Sequence, residues 1–261
     1  MQTGERITVV GLGEIGRRFA NAAAALGMAV TKVGRDDAAQ LPSEPGVPML
    51  LCVRENDLPD VLAKIPPARG RDVVIVQNGF VEDAVRPYEG HTRAVLWFTS
   101  KGTFWADILP SPVFGPRADI VRALINGCGA TAEGIADEAV FRRYALEKAV
   151  WSCVVGAPLT VWGCDFTTAR HQRMAEIEAI VKEACAVVKP ALGLDISPQR
   201  VLATLDDTST QLGWMRGGTK AVGWRNGKVV EWGQRFGIAT PANRAILETA
   251  TRPVERVTEV E

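Results

Sequence analysis

Histidine is scarce in this chain of 261 residues, with His91 and His171 the whole supply. That leaves little material for a zinc centre or a Ser-His-Asp triad. The five cysteines (Cys52, Cys128, Cys153, Cys164 and Cys185) contain no Cys-x-x-Cys and form no group with histidine. They read as buried, reduced thiols rather than metal ligands. Net charge is absent too: 30 Lys and Arg balance 30 Asp and Glu. This removes the basic footprint that nucleic acid or an anionic membrane surface requires. No uninterrupted apolar run approaches the roughly 18 residues of a membrane span. No signal-type apolar stretch precedes the strand-like run that starts by Ile7, so a cytoplasmic setting is expected. What is present is an ordinary globular composition, 47% hydrophobic and 23% charged with 25 glycines. The length suffices for two units of about 130 residues each.

The pattern changes halfway along. Arg6–Val10, Ala29–Val33, Val47–Val53, Asp72–Gln77 and Arg93–Phe98 read as short buried strands. Helical stretches alternate with them at Glu14–Leu26, where Gly27 is the stop, and around Leu58–Ile65; Leu41–Pro48 reads as a proline-rich loop. Such alternation predicts a parallel, doubly wound sheet. The Pro-rich, aromatic stretch 104–115 predicts an antiparallel strand pair closing that sheet. Arg117–Gly127 should then be helical and Thr131–Ile135 a last edge strand. Beyond Asp137 only helix-period segments follow: Glu138–Val155, Thr167–Leu192, Thr208–Gly237 and Pro241–Ala250. The expected division is a Rossmann-type α/β domain over residues 1–136 and an all-α domain over residues 137–261, ending in a frayed charged tail.

Gly11-Leu12-Gly13-Glu14-Ile15-Gly16 lies between the first strand and the first helix, the context that gives a G-x-G-x-x-G its meaning. Gly11 permits the tight turn, Gly13 lets the backbone approach a pyrophosphate, and Gly16 lets helix and strand pack closely. The helix end supplies N–H donors and a positive dipole end for the phosphates. After the second strand comes Gly34-Arg35-Asp36-Asp37. Arg35 is placed to meet a 2′-phosphate and favours NADP(H). With a one-residue shift Asp36 would meet a 2′-hydroxyl and favour NAD instead.

The turn, the Val30–Arg35 segment and the α/β-then-α layout together resemble the ketopantoate reductase (2-dehydropantoate 2-reductase) family. Further blocks agree in order: Val53-Arg54 after the third strand, Gln77-Asn78-Gly79 after the fourth, Gly115-Pro116, and Leu146-Glu147-Lys148 on the interdomain helix. The most specific pair is Asn226-Gly227-Lys228-Val229-Val230 with Gly237-Ile238-Ala239-Thr240-Pro241-Ala242-Asn243. The resemblance implies a helical C-terminal domain of 6-phosphogluconate-dehydrogenase-like architecture. It also implies an active cleft between the domains, with the 208–237 helix packed on the interdomain helix, and allows a homodimer formed through the helical domain. It makes Lys148 the catalytic residue, hydrogen-bonded to a keto oxygen and donating a proton as hydride arrives. An ammonium can stabilise and then neutralise the developing alkoxide, and partial burial brings its pKa toward working pH. Asn78 would position nicotinamide or substrate, although Asn-Gly is also simply a favoured turn. An ungapped count back from Asn226 places Ser209 at the family's substrate-carboxylate serine. A hydroxyl at a helix start serves equally well as an N-cap.

The departures fall on the substrate side. Ala221, or Lys220 with a one-residue gap, stands where the family has a glutamate. Ser152 replaces an asparagine one turn after Lys148, Gly156-Ala157-Pro158 replaces the next, and Arg54 replaces a lysine. A site that loses a hydroxyl's partner loses discrimination, so a substrate other than or besides ketopantoate is expected. Asp206 and Asp207 are candidate replacement carboxylates, or else a solvated helix start. The seven tryptophans suggest a larger or more apolar substrate, with one or two of them lining a site and the rest packing. The expectation is an NADPH-dependent reductase of a 2-oxo acid or related carbonyl. An imine or opine-type reductase and a non-catalytic NADP-binding regulator are the alternatives.

Overall fold

The structure, a computed structural model, describes residues 5–35, 41, 44–101 and 104–252. Asp36 and Asp37, on which the NAD alternative rests, and the tail from residue 253 lie outside the described residues. The chain divides into two compact units, Met1–Ala149 and Val150–Glu261.

The first unit is built on a seven-stranded sheet: β1 (Arg6–Val10), β2 (Ala29–Val33), β3 (Met49–Leu51), β4 (Val73–Ile75), β5 (Thr92–Ala94), β8 (Ser111–Phe114) and β9 (Ala132–Gly134). Their order is β2-β1-β3-β4-β5-β8-β9. The first five run parallel; β8 is antiparallel to β5, and β9 is parallel to β8. Central strands covered on both faces must be apolar throughout. Met49, Leu50, Leu51, Val73, Val74 and Ile75 are accordingly all fully buried. Helix α1 (Glu14–Ala25) turns Phe19, Ala20, Ala22 and Ala23 inward and packs beside α4 (Ala118–Gly127), whose Val121, Leu124 and Ile125 join the same core. Burying each large side chain of this kind stabilises by about 1.5–3 kcal/mol.

The expected strand Arg93–Phe98 is two pieces. β5 ends at Ala94, and Phe98 opens β6 (Phe98–Lys101), which pairs with β7 (Phe104–Asp107) in a separate two-stranded ribbon. The chain leaves the ladder because β8 carries Pro112, which has no N–H to donate. Its carbonyl accepts from Val95, and the Ser111 hydroxyl accepts from the Trp97 N–H. Of the expected closing pair, only β8 joins the main sheet.

The expected boundary near 136 precedes helix α5 (Glu138–Val155), which Asp137 caps through its carboxylate at the N–H groups of Ala139 and Val140. The compact units part inside α5, and its first turns belong to the sheet unit, where Phe141 stacks on Phe114 at 5.7 Å.

The second unit is helical: the end of α5, α6 (Ala157–Val161), α7 (Phe166–Gln172), α8 (Met174–Leu192), α9 (Pro198–Leu212), α10 (Asn226–Phe236) and α11 (Pro241–Thr251). Two long expected helices are broken. Thr167–Leu192 splits at Arg173. Thr208–Gly237 is the end of α9, a non-helical stretch, a short 3-10 turn (Val222–Trp224) and α10. The reason is local: Gly213, Gly217 and Gly218 disfavour helix. The freed carbonyls of Gly213 and Met215 accept the N–H groups of Thr167 and Phe166 at the start of α7. α9 begins earlier than expected, with Ser197 as N-cap to Arg200 N–H and Pro198 in its first turn. Among the described residues no single helix is long and apolar enough to cross a membrane.

Candidate functional site

The glycine turn sits where β1 lies between β2 and β3, the point where the sheet's winding changes direction and where open α/β sheets bind ligands. Each glycine has a distinct steric reason. Gly11 has φ 90°, and a Cβ there would lie 2.8 Å from the Cys52 carbonyl oxygen at the end of β3. A Cβ on Gly16 would lie 1.9 Å from the Gly11 carbonyl oxygen. Gly13 is the opposite case: it caps α1 without a side-chain hydrogen bond, and nothing stands within 4 Å of where its Cβ would be. Open space in front of a helix N-terminus is what an approaching pyrophosphate needs. Leu12, Glu14 and Ile15 complete the turn and the first helical residues.

The ends of β3 and β4 form the adjoining wall. Gln77 donates to the carbonyls of Leu51 and Val53 at 2.8 Å each and accepts from Val76 N–H, tying the strand ends together. Val53 packs its side chain under Gly11, whereas Arg54 is exposed. Asn78 donates to the Leu96 carbonyl at 3.3 Å, and its Oδ1 is buried with no partner among the described residues. An orphaned buried acceptor costs about 1–3 kcal/mol, and a carboxamide or hydroxyl donor on a ligand would remove that cost. Arg35 is exposed just beyond β2, with the Asp57 carboxylate 3.9 Å from its guanidinium. Open space at Gly13, an uncapped helix end and an unmet acceptor at Asn78 fit a nicotinamide dinucleotide.

Lys148 projects from α5 within the same unit and is only 5% exposed, with Nζ 3.7 Å from the centroid of the Trp97 ring. The thiols are unconnected to this chemistry. Burial pushes Cys52 well above the ordinary thiol range, Cys128 to about 11 and Cys153 to about 12. All five cysteines are free, and the described residues contain no metal-binding cluster.

In the helical unit, Ser152 is buried on α5. Ser209 is neither at a helix start nor an N-cap: it lies near the end of α9, donates to the Asp206 carbonyl and accepts from Arg170 Nη1 at 2.5 Å. Arg170 also pairs with the exposed Asp206 carboxylate, so Asp206 is an ion-pair partner within a helix rather than a helix start. Ser209 and Arg170 line a cavity of about 410 Å³ with Thr167, His171 and Trp214. Neither Arg170 nor Trp214 was singled out from sequence for this role. Arg170 lies 39 residues from Ser209, and no local spacing announces the pairing.

The block Asn226–Val230 with Gly237–Asn243 builds an internal lock. Asn226 and Asn243 are fully buried, and Asn226 Nδ2 donates to Asn243 Oδ1 and to the Cys153 carbonyl at 3.0 Å each. Asn243 Nδ2 reaches Glu183 and the Ile180 carbonyl, and the Glu183 carboxylate also accepts the N–H groups of Ala242 and Asn243 at the start of α11. A carboxylate at that end complements the helix dipole. Ala221 is buried, with no carboxylate in its place.

A glycine-turned α/β unit followed by a helical unit defines a Rossmann-type protein with an all-helical C-terminal domain. Residues 140–253 match the family model described as ketopantoate reductase PanE/ApbA C terminal. The whole chain shares the fold of a PanE/ApbA family ketopantoate reductase from Ralstonia eutropha JMP134, at 16% identity, TM-score 0.75, and 94% and 97% coverage of the two chains. It is also similar to D-mandelate dehydrogenase solved with NADH (16% identity, TM-score 0.73, 94% and 97%). A third such structure is a 2-dehydropantoate 2-reductase from Methylococcus capsulatus (17% identity, TM-score 0.68, 95% and 99%). No curated protein matches the chain by sequence. Residues 140–253 therefore carry the C-terminal domain of the ketopantoate reductase (PanE/ApbA) type, and the chain has the fold of these reductases.

Proposed function

We propose that the chain is an NADPH-dependent reductase that delivers hydride to the carbonyl of a small 2-oxo acid other than or besides ketopantoate. The observation that carries the proposal is the burial of Lys148, the residue the resemblance makes catalytic, in the unit that holds the glycine turn. A bound nicotinamide supplies the hydride. The protein's own part is binding, orientation and proton delivery. The Gly11–Gly16 turn receives the pyrophosphate and Arg35 the 2′-phosphate. Asn78 Oδ1 accepts a hydrogen bond from nicotinamide or substrate. Lys148 Nζ donates a hydrogen bond to the carbonyl oxygen, holds the charge that develops there, and gives up its proton to form the alcohol. Ser209 and Ser152 are the candidate substrate contacts on the helical unit. The reduced thiols suit a cytoplasmic setting. A homodimer is part of the proposal; the Staphylococcus aureus ketopantoate reductase of the same fold is dimeric.

The test follows NADPH oxidation across 2-oxo acids, ketopantoate among them, simple ketones, and preformed imines, with wild type and Lys148→Met. The proposal expects turnover with a 2-oxo acid and a loss of about 10²–10⁴ in kcat for the variant with NADPH affinity unchanged. Turnover only with imines would move the enzyme to the imine-reductase class. NADPH binding without turnover anywhere in the panel would favour a regulator.

A further inference from the structure

Trp97 is neither in the glycine turn nor at any position the family resemblance marks, yet its indole covers the Lys148 ammonium at 3.7 Å from Nζ to ring centroid. Both side chains are buried, at 7% and 5% exposure. We infer that Trp97 is the positioning residue for Lys148: its ring face fixes the direction of the Nζ group and keeps the buried amine in its protonated, proton-donating form. The inference rests on the reading of Lys148 as the proton donor.

Three observations support it. The first is desolvation: a buried amine loses hydration and tends toward the neutral form, which cannot donate a proton to an alkoxide. A ring quadrupole opposes that tendency, most strongly for Trp and most strongly where water is excluded. The second is rigidity. The Trp97 N–H donates to the Ser111 hydroxyl at 2.9 Å, and its carbonyl accepts from Ile108 and Leu109 at 2.9 and 3.3 Å. The indole is therefore carried on a backbone pinned from β8 and from the end of β7. The third is the inventory of charge on α5 and about β5. Glu138, Arg142, Arg143 and Glu147 lie on the helix with Lys148; His91, Arg93 and Glu82 lie about β5. Arg93 and Glu82 are held to each other at 2.6 Å, and burial keeps His91 below its ordinary pKa and so toward the neutral form. The Trp97 ring face is a contact made at the ammonium itself.

The experiment needs no substrate. In protein labelled with lysine-15N, NMR follows the Nζ titration of Lys148, identified by its loss in Lys148→Met. The ring stabilises the charged form, so its removal lowers the midpoint. Trp97→Leu should lower it by about one pH unit, and Trp97→Phe, which keeps a weaker ring face, by less than about half of that. Trp97→Tyr should fall between wild type and Phe, which preserves the graded comparison if the leucine variant does not fold. Midpoints unchanged across the series, or an equal drop for every replacement, would overturn the inference, because packing alone would then explain the contact. The outcome is separable from the proposed reaction. A graded shift in a protein that oxidises no NADPH leaves the positioning intact and removes the reductase reading. Turnover without a shift does the reverse.

Discussion

The two units use their family-like segments in opposite ways. In the sheet unit the motif leaves an open surface: Gly13 has open space before it, while Gly11 and Gly16 are glycine because backbone lies 2.8 and 1.9 Å from where a Cβ would be. In the helical unit the longest family-like block, Asn226 to Asn243, faces inward and is spent on Glu183, Cys153 and Ile180. A matching motif therefore points to ligand chemistry in one unit and to stability in the other. The residues that face open volume in the helical unit, Arg170, Ser209 and Trp214, lie outside that block.

Three substitutions break or sharpen this contrast. The largest expected effect is at the lock. Asn243→Leu removes three side-chain hydrogen bonds, leaving the Asn226 amide with the Cys153 carbonyl and the Glu183 carboxylate with the N–H groups at the start of α11, costing about 3 kcal/mol in a urea titration. NADPH affinity should be unaffected if the units play the separate parts described. Next comes Asp72, which ties the 44–46 loop to the sheet unit. Burial works against its charge, but the Gly46 N–H, Arg117 and Arg69 outweigh that and hold the carboxyl below its usual range. A depressed carboxyl contributes stability above its unfolded pKa of about 3.9 and loses it as pH falls through the folded value. Asp72→Asn should cost about 2 kcal/mol at pH 7, less than a fully enclosed pair because Arg117 is partly exposed. The gap in Tm from wild type should close as pH drops below about 4; a constant gap would show that the carboxylate's charge is not what holds the loop. The smallest effect is at Arg35, whose side chain is 81% exposed. Arg35→Ala should raise the KM for NADPH by about tenfold, or ~1.4 kcal/mol, with little change for NADH. An equal response to both cofactors would remove the 2′-phosphate assignment.

Much of the sheet unit was legible in the sequence because periodicity changes sharply there: strand period ends at Gly11 and helical period begins at Glu14. The break after Ala94 was not, since Val95, Leu96 and Trp97 continue an apolar run and only the pairing of Val95 with the Pro112 carbonyl reveals the departure. In the helical unit, apolar spacing carried through Gly213–Gly218 and joined two helices that the glycines separate. The start of α9 had a usable signal in Ser197-Pro198, an N-cap followed by a first-turn proline. Register places Ser209 at a helix start, whereas it lies near the end of α9, where Arg170 reaches it from another helix. The contact of Trp97 with Lys148 is likewise tertiary and has no local trace.

The central claim, that the Gly11–Gly16 turn holds a dinucleotide through open space at Gly13, is tested most directly by NADPH titration of Gly13→Val. Gly13 has φ −66° and ψ −169°, extended backbone that valine adopts, and nothing within 4 Å of where a Cβ would be. The unliganded variant should therefore keep the wild-type Tm within a degree or two while the Kd for NADPH rises by at least about a hundredfold, ~2.7 kcal/mol. An unchanged Kd in a protein of unchanged Tm would contradict the account.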